Sequence, residues 1–120
     1  MGAAVRLRQG RPVRHGPITQ ELEIARLRLA GELAAAWEQL FHRQSPERSL
    51  SPFEEPIRRF SSTAWAVSTP VERMLAVLKE CIDESALRQL EPRSYKAAHE
   101  QLVRWAIDEF YVAGERAMKE

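Results

Sequence analysis

Few side chains in this sequence could do chemistry, and their spacing is the first test of what they do. Glu38 and His42 stand one helical turn apart and could share a proton or a metal ion. The inward-facing Glu-x-x-His pairs of di-iron bundles are missing, because Gln39 precedes His42 by three residues and Lys96 precedes His99 by three. No His-Glu-x-x-His run occurs either. A solvated side-chain pair accounts for Glu38 and His42 without a metal. Cys81 falls on an apolar stripe, where a thiol behaves as a small hydrophobe, and no sequence neighbour would lower its pKa. There is no Gly-x-Ser-x-Gly elbow, phosphate-cradling glycine loop or dinucleotide fingerprint. The chain therefore reads as non-enzymatic, with no catalytic residue, no metal ligand and no cofactor.

Two basic features remain. Arg6, Arg8, Arg11 and Arg14 lie among glycines and prolines in a segment, 1–17, that shows no sustained period and reads as a flexible basic arm. Guanidinium groups on such an arm could bind phosphates, which makes nucleic acid a candidate partner without supplying sequence recognition. A helix-turn-helix built from 57–67 and 70–82 would present Glu72, Arg73, Lys79 and Glu80, whose charges cancel, and that is a poor surface for a polyanion. Arg58-Arg59-Phe60-Ser61 has the form of a basophilic kinase substrate. The motif is short and common, so the reading preferred is the polar side of a short helix beside Phe60.

Composition sets the frame for these residues. The chain has 120 residues, 44% of them hydrophobic and 29% charged, enough for one domain with a real core. Its net charge of +1 hides an asymmetry: residues 1–20 carry +4, and the remaining hundred, with 14 basic and 17 acidic side chains, carry −3. A single cysteine excludes an internal disulfide and suits a reducing compartment. No stretch approaches the roughly 18 apolar residues of a membrane span, and no signal-peptide core or myristoylation pattern is present, so the expected location is cytoplasmic.

The elements that must carry these residues are helices. From 94 to about 118 the chain has one Gly and no Pro, and Leu102, Val103, Ala106, Ile107, Phe110, Ala113, Gly114 and Ala117 fall on one arc. Trp105 and Val112 stand at one border of that arc, beside Glu109 and Arg116, and Tyr111 stands at the other. A second long helix, about 18–44 and capped by Thr19, puts Leu22, Ala25, Leu29, Leu33, Ala36, Trp37, Leu40 and Phe41 on its main face. Ile24, Leu27, Gly31, Ala34 and Ala35 form a smaller second face, and Gly31 with Ala35 would permit close approach of another helix.

Two shorter helices complete the set. Ser51 and Glu54 match a capping box, but Pro56 is expected to interrupt any helix begun at Pro52, so the next regular element is placed at 56–67 with Ile57, Phe60, Ala64 and Val67 inward. Thr69-Pro70-Val71-Glu72 predicts a capped helix over 70–82, striped by Val71, Met74, Leu75, Leu78, Cys81 and Ile82. No strand or hairpin signal appears.

These readings converge on an all-α, four-helix bundle-like domain over 18–120, its two long helices paired and the short ones covering them. The function expected of it is that of a regulatory or adaptor module working through protein–protein contacts or self-association. The alternative is a nucleic-acid-associated accessory protein using Arg6, Arg8, Arg11 and Arg14. Interface candidates are the border residues Trp105, Tyr111 and Val112, with Gly31 and Ala35, and the expected partner is another protein or a second copy, with no membrane. A ligand cavity near Trp37, Cys81 and Trp105 is a third, separate expectation.

Overall fold

The computed structural model describes residues 20–42 and 49–119. Within them the chain is helical, with four α-helices, one 3-10 turn and no strand, as the periodicity predicts. The helices are α1 (Gln20–His42), α2 (Ser51–Ala66), α3 (Val71–Glu84) and α4 (Pro92–Lys119), with the 3-10 turn at Ala86–Gln89 between the last two. Thr19 and the basic arm 1–17 lie outside the described residues.

The largest departure from expectation is at α2. Instead of starting at Pro56, the helix starts at Ser51 and runs through that proline. Pro52 sits in the first turn, where its missing N–H costs nothing, but Pro56 removes the bond to the Pro52 carbonyl, a loss of about 3 kcal/mol in a helix interior. Packing outweighs it. Phe53 and Ile57, one on each side of Pro56, are both fully buried, and burying two such side chains is worth about 3–6 kcal/mol. The capping box is not formed: Ser51 is the first helical residue, its N–H bonds the hydroxyl of Ser49 at 3.1 Å, and Glu54 instead pairs with Arg58.

At the other end, α2 closes with a Schellman arrangement. The Ser68 N–H bonds the Trp65 carbonyl at 3.0 Å and the Thr69 N–H reaches back to the Ala64 carbonyl at 2.9 Å. This geometry demands a left-handed residue, and Ser68 supplies it with φ of 64° where glycine is usual. Ser68→Gly is therefore expected to raise stability by about 0.5–1 kcal/mol, read as a higher urea midpoint. An unchanged or lower midpoint would show that Ser68 is held there at no cost. Thr69 belongs to this motif and not to the next helix. Its side chain gives no cap, and α3 opens on the Pro70 carbonyl, which accepts from the Met74 N–H at 3.0 Å.

The turn after α3 is built by one serine. Ser85 Oγ donates to the Ile82 carbonyl at 2.7 Å and accepts the Leu87 N–H at 3.2 Å, which drives Leu87 into the core. Proline at its first position then starts α4, two residues earlier than the periodicity suggests.

The long helices do not pair. Among the described residues no Cα atoms of α1 and α4 come within 8 Å of each other, and α2 lies between them, packed against both, while α3 and the 3-10 turn contact α1 and α4 as well. The body measures 57 × 39 × 21 Å, so its thinnest dimension is two helix diameters. The reason is that α2 is apolar over a wide arc: Phe53, Ile57, Phe60, Ser61 and Ala64 are all buried and serve both neighbours at once. Ser61 marks the contact with α4, its hydroxyl donating to the Ala106 carbonyl at 2.5 Å.

Candidate interaction surfaces

Several of the groups with chemical potential are held by the fold. Cys81 is buried beneath α1, and that burial pushes its thiol up to about 11, with the nearby Arg26 guanidinium opposing only part of the shift. A thiol held protonated is a poor nucleophile. Arg26 itself is held by a two-point ion pair with Glu23, at 2.6 and 3.0 Å, which keeps the Glu23 carboxyl below its ordinary range. Among the described residues no three His, Cys, Asp or Glu side chains are grouped to hold a metal. The His42 side chain is outside the described residues, so the Glu38–His42 pair is too.

His99 is placed beside Tyr95, with ring centroids 5.8 Å apart. Tyr95 donates its hydroxyl to Asp83, and Arg88 lies over its ring at 5.4 Å. Burial, reinforced by the bond to Asp83, raises the Tyr95 pKa and keeps the phenol a donor. The cluster ties the start of α4 to the end of α3.

The Arg58-Arg59-Phe60-Ser61 motif resolves into structure. Ser61 is fully buried and its hydroxyl is engaged, so no kinase can reach it in the folded chain. The two arginines split. Arg58 bonds Glu54 at 2.9 Å and reaches across to Asp108 at 3.2 Å and Glu109 at 3.6 Å on α4, while Arg59 bonds Glu55 at 2.9 Å and Glu32 on α1. Successive residues on a helix point about 100° apart, and this pair straddles the outer ridge of α2 and grips the helix on either side. Arg116 adds a second partner for Glu109. These half-exposed pairs fix register more than they add stability, at up to about 1 kcal/mol each. Nothing in the sequence paired Arg59 with Glu32, since the two are joined only by the helix–helix contact.

The apolar faces give a different result. On α1 the residues Leu22, Leu29, Leu33, Ala36 and Leu40 are buried as expected. On the opposite side of the same helix Ile24 and Leu27 stand 53% and 57% exposed, and Gly31, Ala34 and Ala35 beside them are exposed too. No described element covers this second face of α1. On α4 the border residues separate: Trp105 is half-buried against the core, Tyr111 is 59% exposed, and Val112 lies at the edge of exposure. Met118, which the sequence pattern did not single out, is 88% exposed two turns beyond Tyr111. Trp65 closes over Gly114, with its indole nitrogen 3.2 Å from where a Cβ would stand.

Two open grooves flank α4. One of about 580 Å³ runs along Lys79, His99, Val103, Arg104 and Ile107, and one of about 550 Å³ is lined by the Arg58, Arg59 and Arg116 ion pairs. Neither lies at Trp37, Cys81 and Trp105, where a cavity was expected. Arg6, Arg8, Arg11 and Arg14 lie outside the described residues. No helix is long and apolar enough to cross a membrane among the described residues. No protein-family model, curated protein or solved structure matches the chain.

Proposed function

We propose that this chain is a non-enzymatic interaction module of regulatory or adaptor type, which works by offering apolar helix faces to another protein or to a second copy of itself. The observation that carries the reading is the uncovered face of α1, where Ile24 and Leu27 are more than half exposed along a stripe continued by Gly31, Ala34 and Ala35. Scattered exposed hydrophobes are ordinary, but a contiguous stripe along a helix is a recognition feature. Tyr111 and Met118, on one flank of α4, supply a second apolar surface. The reading also places the chain in the cytoplasm, on the strength of one buried, unpaired thiol.

The test is affinity capture from a lysate of the cells that make the protein, read by mass spectrometry. Wild-type bait is compared with Ile24→Lys/Leu27→Lys and, separately, Tyr111→Ala/Met118→Ala. The expected result is a small set of proteins, the chain itself among them, lost to one double variant while circular dichroism is unchanged. The same capture by all three baits, with no concentration-dependent self-association, would overturn the reading.

A further inference from the structure

We draw no further inference here: the strongest candidate, the open groove between α3 and α4 flanked by Lys79 and Arg104, carries nothing, because Glu100 and Asp108 on the same lining offset those two cations and nothing in the structure shows what covers it.

Discussion

Replacing Ser61 with Asp is expected to leave the chain unfolded or molten at 25 °C, while Ser61→Ala keeps the fold at a loss of about 1 kcal/mol. The hydroxyl has no exposure and donates to the Ala106 carbonyl, whose other lone pair is taken by the helical bond within α4. A carboxylate there has no proton to give, faces an acceptor and is cut off from water. An unpaired charge of that kind costs at least about 3–5 kcal/mol, against a total stability of about 5–15 for a domain. Urea denaturation followed by circular dichroism reads both variants. A Ser61→Asp protein with a midpoint near wild type would mean that α2 and α4 do not close over this position.

The second large effect is expected at Phe53→Ala, a loss of about 3–5 kcal/mol with the midpoint lowered in proportion. Phe53 is fully buried in the first turn of α2, ahead of Pro56. Had the helix begun at the proline, Phe53 would sit in a connecting loop and its truncation would cost well under 1 kcal/mol. The experiment thus measures whether packing or local propensity decides where α2 starts. A loss below about 1 kcal/mol would return the helix start to Pro56.

The same contrast explains what could be read in the sequence. On α1 and α3 the inward faces follow from spacing alone, because each helix has one strongly apolar side: Leu22, Leu29 and Leu33 on the first, Met74, Leu78 and Ile82 on the third. On α4 the arc was legible but rotated. Leu102, Ala106 and Ala113 are buried, yet the burial extends to Ala98 and the Trp105 border, while Val103, Ile107 and Phe110 are only half-covered and Ala117 is exposed. Glu109 is the cause: as a carboxylate it counts as polar, but Arg58 and Arg116 neutralise it, and its side chain is only 14% exposed. Phe53 and Ser61 were missed for related reasons, one hidden behind a proline and the other by its hydroxyl. Which helices would be neighbours was not legible, since periodicity gives the width of an apolar face and not the element that meets it. The uncovered stripe of α1 was visible as a second face, and only the arrangement of α2 between the long helices shows that nothing in the described chain covers it.

The two-helix thickness of the body has a further consequence. In a slab 21 Å deep there is a single seam of buried side chains, and every residue in it is within one helix diameter of water. A molecule held out of solvent would have to part that seam. The two grooves beside α4 are open to solvent instead, each roofless along its length. On the interaction-module reading, a partner therefore meets the described faces from outside, as one surface laid on another.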